Sequence, residues 1–161
     1  MKLTSKTDLE APIGFVYATL ADFPTWEREV VRRGVEIERP ADSPHTGKGA
    51  TWRVRAPYRG KVRKVQIQVT DAVQDDKLVF GIDAPSIEGT SMLELISLSP
   101  RRTRLRLTLD VRPKTLAARL FINTLRLAKR RVDTRFDKRV AQLAARIEEM
   151  YQRSRSQTEK A

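Results

Sequence analysis

The chain has 161 residues, 40% of them apolar, and a formal charge of +12. That length suits one domain with a real core, and no stretch is long and apolar enough to cross a membrane as a helix. It has no cysteine, which excludes disulfides, thiol catalysis and thiolate metal sites.

The charge is unevenly spread. Residues 112–161 hold 14 Lys/Arg against 5 Asp/Glu, a net of +9, while residues 1–111 carry +3. The opening MKLTSKTDLEAP lacks the apolar core of a secretory signal, which points to a cytoplasmic protein.

Lys2–Glu10 alternates, with Leu3 and Leu9 on one face, and reads as a first strand. Ala11-Pro12 stops it. Pro12 fits a helix start, and Ile13, Val16, Tyr17 and Leu20 follow at helical spacing. Asp22 and Pro24 open a second short helix with Trp26, Val30 and Val31 on its apolar side, and Gly34 ends it. Val35–Glu38 alternates as a second strand, and Arg39–Gly49 is a turn-rich loop.

Ala50–Ala56 alternates around Trp52 and Val54, and Pro57-Tyr58-Arg59-Gly60 is a turn. Lys61–Thr70 places Arg63, Val65, Ile67 and Val69 on one face of an antiparallel strand with one wet face. Gln74–Lys77 turns the chain into Leu78–Ile82. In Ile87–Leu98 the simple period fails from Met92 on, which predicts a bulge. Ser99–Arg102 is a hairpin loop. Leu105, Leu107, Leu109 and Val111 then alternate with polar partners, up to Pro113.

From Thr115 to Arg153 runs one long helical pattern. Leu125, Ala128, Val132, Phe136, Val140, Leu143, Ile147 and Tyr151 recur at three- and four-residue steps, forming a continuous stripe. A single such helix, lacking a helical partner of similar length, buries its stripe on a sheet. The reading is α+β: a curved antiparallel seven-stranded sheet, two short helices after the first strand, and a long C-terminal helix with room beneath it. The domain spans 1–153. The polar tail 154–161 is expected to fray.

The order of elements and the run LEAPIGFVYATLADFPTWEREV carry a family likeness. Its strand, Pro12, Val16-Tyr17, Leu20, Asp22 and Trp26 resemble the opening of the START-like, helix-grip superfamily, also called SRPBCC or polyketide cyclase/dehydrase and lipid-transport proteins. The resemblance implies a cavity between sheet and long helix. Members bind lipids, hormones or polyketides, some cyclise or hydrolyse them, and others act as protein or ribosome partners.

On that fold the cavity walls are expected from Trp52, Val54, Val65, Ile67, Val69, Phe80, Leu93, Leu107 and Leu109, with Phe121, Leu125, Ala128, Val132 and Phe136 from the helix. Tyr58 could orient a ligand through its hydroxyl. For Arg63 two placements stay open: the cavity, where a guanidinium needs an anionic partner, or the strand's exposed end.

Patterns for catalysis are absent. His45 is the only histidine and sits in a loop, with no zinc spacing and no phosphate or dinucleotide loop. No metal or other cofactor is expected. Asp75 and Asp76 share a turn and are most simply solvated, while Glu88, Glu94 and Asp110 lie on strands, where one could face inward as a general base.

Arg131, Arg135, Lys138, Arg146 and Arg153 fall along one flank of the long helix. An anionic membrane surface or an acidic protein suits them better than nucleic acid, because no aromatic side chains interleave for base stacking. The first expectation is a binder or carrier of a small hydrophobic or lipid-like molecule. An interaction module built on the basic helix and a cyclase or hydrolase are the alternatives.

Overall fold

A computed structural model describes residues 1–160. The elements run β1 (Lys2–Leu9), α1 (Ile13–Ala21), α2 (Phe23–Arg32), β2 (Glu36–Glu38), β3 (Thr51–Tyr58), β4 (Lys61–Val73), β5 (Lys77–Asp83), β6 (Ile87–Ser99), β7 (Arg102–Pro113), α3 (Leu116–Leu127) and α4 (Lys129–Lys160). The seven strands form one sheet in the order β1-β7-β6-β5-β4-β3-β2, antiparallel at every step. β1 crosses the molecule to pair with β7, Leu3 opposite Leu109 and Leu9 opposite Thr103, because α1 and α2 carry the chain away from it. Short hairpins link β3 through β7 and the longer 39–50 loop joins β2 to β3, so neighbours in sequence are neighbours in the sheet.

Alternation sets the faces. Leu9, Val69, Leu78, Leu93, Leu95 and Leu105 point inward and join Val16, Leu20 and Phe23 in the core. The Thr103 hydroxyl donates to the Ala11 carbonyl at 2.8 Å inside that core, fixing the corner between β1 and α1. From above, α4 buries Val140, Ala144 and Ile147, its length lying mainly over β1. Phe15 of α1 meets Tyr151 edge-on at 5.0 Å.

The hairpin β3–β4 is tighter than expected. Pro57 and Tyr58 remain in the strand, and only Arg59 and Gly60 turn, both at positive φ (51° and 75°), the twist a two-residue hairpin requires. The bulge expected after Met92 occurs where Ser97 and Ser99 lose register with β7. A second lies between Val69 and Asp71. It re-phases the strand so that Ala72 faces the core, and β4 therefore runs on to Val73.

The single helix expected over Thr115–Arg153 is two. The chain breaks at Ala128 (φ −105°, ψ 30°), whose N–H bonds back to Arg126 and Leu125. Neither glycine nor proline marks the place. A straight helix over both segments would span roughly 65–70 Å at 1.5 Å per residue, whereas a chain of this size has a radius of gyration of about 15 Å. The bend lets α3 lie over the end of β7 while α4 follows β1. The segment expected to fray is helical through Lys160, though exposed throughout. Ala161 lies outside the described residues.

Two ion pairs join distant parts. Asp8 accepts from Arg104 Nε at 2.8 Å and from its second nitrogen at 3.2 Å, and Glu29 of α2 accepts from Arg146 of α4 at 2.7 Å. The Arg104 hydrogen bond holds the Asp8 carboxyl below its ordinary range, and the Arg146 hydrogen bond does the same for Glu29, each against an opposing effect of burial.

Ile147 is fully buried and Leu127 is 91% exposed. Ile147→Ala is expected to cost about 2–5 kcal/mol in a urea titration, and Leu127→Ala to stay within about 0.5 kcal/mol. A carboxyl with a depressed folded pKa binds fewer protons folded than unfolded. Its stabilisation is therefore present at neutral pH and is lost as pH falls from about 4 through the folded value. Denaturation midpoints of the parent should fall in that acid window. The double variant Asp8→Asn, Glu29→Gln should show a flatter decline.

Candidate functional site

Because α4 lies over the β1 edge, the opposite half of the sheet needs another cover. α2 supplies it. Phe23, Trp26 and Val30 fall at three- and four-residue steps and turn one face toward the concave side of β2–β5. Between them lies a pocket of about 360 Å³. Its walls are Leu20, Phe23, Trp26, Glu27 and Val30 from the helices, Val35 and Ile37 near β2, Trp52 and Val54 of β3, Ile67, Phe80, Leu93, and a single residue of α4, Leu143.

Aromatic packing shapes the floor. Phe23 meets Trp52 edge-on at 5.0 Å and Phe80 at 6.4 Å. Both indole N–H groups are engaged by the protein. Trp26 donates to the Thr19 carbonyl at 2.8 Å, and Trp52 donates to Glu27 Oε1 at 2.7 Å. The same carboxylate oxygen accepts from Arg39 Nε at 2.6 Å. Arg39 also stands 5.2 Å from the Trp52 ring and donates to the carbonyls of Pro44 and His45. One carboxylate thus anchors the pocket wall and the 39–49 loop together, and the pocket's surface is carbon.

A groove between α2 and α4 adjoins the pocket, and Trp26, Val30 and Leu143 line both. Glu29, Arg33, Arg139, Gln142, Arg146 and Glu149 line this outer part. Arg146 is tied to Glu29 and reaches Glu149 at 3.5 Å. Arg33 and Arg139 make no ion pair among the described residues and leave the groove positive at its rim.

Of the side chains expected from the sequence, Trp52, Val54, Ile67, Phe80 and Leu93 meet around this pocket. The others lie elsewhere. Tyr58 is 53% exposed at the hairpin tip, its ring 5.7 Å from the Arg59 guanidinium. Arg63 is exposed opposite Ala56, so it reaches solvent at the strand's end. Val65 lines a separate charged trough with Glu36, Arg55, Lys64 and Lys114. Val69 is core, and Leu107 packs against that core. Leu109 is half-buried. Phe121 lies under the Arg59 guanidinium at 4.5 Å. Leu125, Val132 and Phe136 are half-buried, and Ala128 is exposed at the break.

The reason is the placement of the long helix: its first turns sit away from the pocket, and α2 takes the role expected of them. The signal was present in Trp26 and Val30, whose spacing marks an apolar side without saying what it faces.

The basic flank is divided. Arg146 and Arg153 pair with Glu29 and Glu149, while Arg131, Arg135 and Lys138 are exposed without ion pairs among the described residues. His45 is exposed, and Glu88, Glu94 and Asp110 lie off the pocket. Among the described residues no cluster of three His, Asp or Glu has the arrangement to hold a metal ion, and no helix is long and apolar enough to cross a membrane.

Solved structures share this fold. The Zhui aromatase/cyclase of a Streptomyces species superposes with a TM-score of 0.59 at 14% identity, over 92% of this chain and 93% of that one. A Thermus thermophilus protein gives 0.62 at 15% identity, over 91% and 97%. A Rhizobium loti protein gives 0.56 at 20% identity, over 83% and 95%. At these identities the likeness is one of fold. No curated protein matches the chain. Residues 1–148 match the family described as polyketide cyclase / dehydrase and lipid transport, and with its seven-stranded sheet, long terminal helix and covered pocket the chain belongs to that family.

Proposed function

We propose that this protein binds a small hydrophobic or amphiphilic molecule, with an acyl- or ring-type apolar part in the α2-covered pocket and a polar end toward the groove. The observation that carries this reading is the pocket's wall: thirteen residues, all apolar except Glu27, with Glu27 and both indole N–H groups already hydrogen-bonded within the protein. Such a surface recognises shape and apolar area, at about 25 cal/mol per Å² removed from water. The rim arginines Arg33 and Arg139 favour an acidic end over a basic one.

A cyclase or hydrolase needs an acid or base within hydrogen-bond reach of the reacting atoms. Glu27 is the single titratable group on this wall, and its near oxygen already accepts two N–H bonds. Binding without turnover is the reading supported.

Calorimetry with a homologous series of fatty acids tests this. Affinity should rise by about fourfold per added methylene until the pocket is full, the equivalent of about 0.8 kcal/mol each. Val54→Phe and, from the opposite wall, Val30→Trp should each shorten the longest chain accepted. A series that raises neither heat of binding nor melting temperature rejects the reading. Glu27→Leu should strand the Trp52 and Arg39 donors, lowering stability by about 1–3 kcal/mol, as read from urea titration.

A further inference from the structure

α3 is apolar on two opposite sides. Ile122 is buried, with Phe121 and Leu125 half-buried beside it. On the far side Leu116, Leu120 and Leu127 are 72%, 59% and 91% exposed. At about 100° per residue these three fall within about 40° of one another and face away from Ile122. Single exposed leucines are ordinary; an aligned row of them marks a contact surface.

The surroundings are cationic. Between Val111 and Val132 there are seven Lys/Arg and no Asp/Glu. Lys114 and Lys129 pair with Asp83 and Asp133. Arg119, Arg126, Arg130 and Arg131 have no carboxylate partner among the described residues. Arg119 and Arg126, seven apart, run along one flank of the leucine row, and Lys129–Arg131 follow Leu127 across the break at Ala128.

We propose that α3 docks on the surface of an anionic lipid bilayer. The helix lies in the plane of the interface, with Leu116, Leu120 and Leu127 at the acyl boundary and the arginines among the headgroups. Charge selects this occupant. A second copy would set seven cations against seven. Nucleic acid would satisfy the arginines but give the leucines nothing to pack on, and base-stacking aromatics are absent from α3's outer row. The proposal does not depend on the pocket holding a ligand.

Flotation of the full chain with vesicles tests it. Phosphatidylcholine vesicles containing phosphatidylglycerol should bind the protein, and phosphatidylcholine alone should not. Raising salt to about 0.5 M should release it. Arg119→Gln and Arg126→Gln should each weaken binding by about fivefold, the equivalent of about 1 kcal/mol per cation. The triple variant Leu116→Ser, Leu120→Ser, Leu127→Ser should lose binding by at least about tenfold with its melting temperature unchanged, since these side chains leave no core. A nitroxide on Leu127→Cys, the only thiol in that variant, should gain oxygen accessibility on anionic vesicles.

No flotation at low salt overturns the proposal, as does binding indifferent to the leucine substitutions. Equal or tighter binding to single-stranded RNA or polyglutamate, or a dimer that the leucine substitutions dissolve, reassigns the surface and overturns it too. Val54→Phe should float as the parent does; its failure would place the contact at the pocket instead.

Discussion

α4 buries Val140, Ala144 and Ile147 over the β1 side of the sheet, and that off-centre seam governs what the rest of the molecule can do. A sheet of seven twisted strands is wider than one helix. Wherever α4 lies, some of the concave face stays uncovered, and the uncovered apolar residues must find another partner or remain open. Here they are those of β2–β5, and α2 spans them without filling the space beneath. The pocket is thus a residue of geometry: two helices of unequal length on a surface that neither covers alone.

What decorates that space follows from hydrogen-bond satisfaction. An indole in an apolar wall cannot leave its N–H unmet. Trp26 solves this locally with the Thr19 carbonyl, and Trp52 solves it with a carboxylate from the facing helix. A half-buried carboxylate gains from a counter-charge in turn, and Arg39 brings one along with the loop it anchors. The chain of requirements ends in a site with no free polar group.

The strands were legible because antiparallel alternation is a period-two signal that survives local noise: Leu105 through Val111 and Arg63 through Val69 show their faces directly. The sheet side of the pocket wall was largely legible for the same reason, in Trp52, Val54, Ile67, Phe80 and Leu93. The helix side was not. Periodicity shows that Trp26 and Val30 share a side of α2 but carries no information on which tertiary partner that side meets. The break at Ala128 was hidden likewise, since Leu125, Ala128 and Val132 keep helical spacing across it and the cause lies in the sheet's dimensions. Arg63 keeps phase with its strand yet ends in water, because phase gives direction and not depth.

The chain has two tryptophans, and both line the same pocket, Trp26 from the helix and Trp52 from the sheet. Ultraviolet emission from the whole protein therefore comes chiefly from the two sides of a single chamber. Whatever enters it changes the surroundings of both emitters at once, so the molecule carries its own optical gauge of occupancy without a dye.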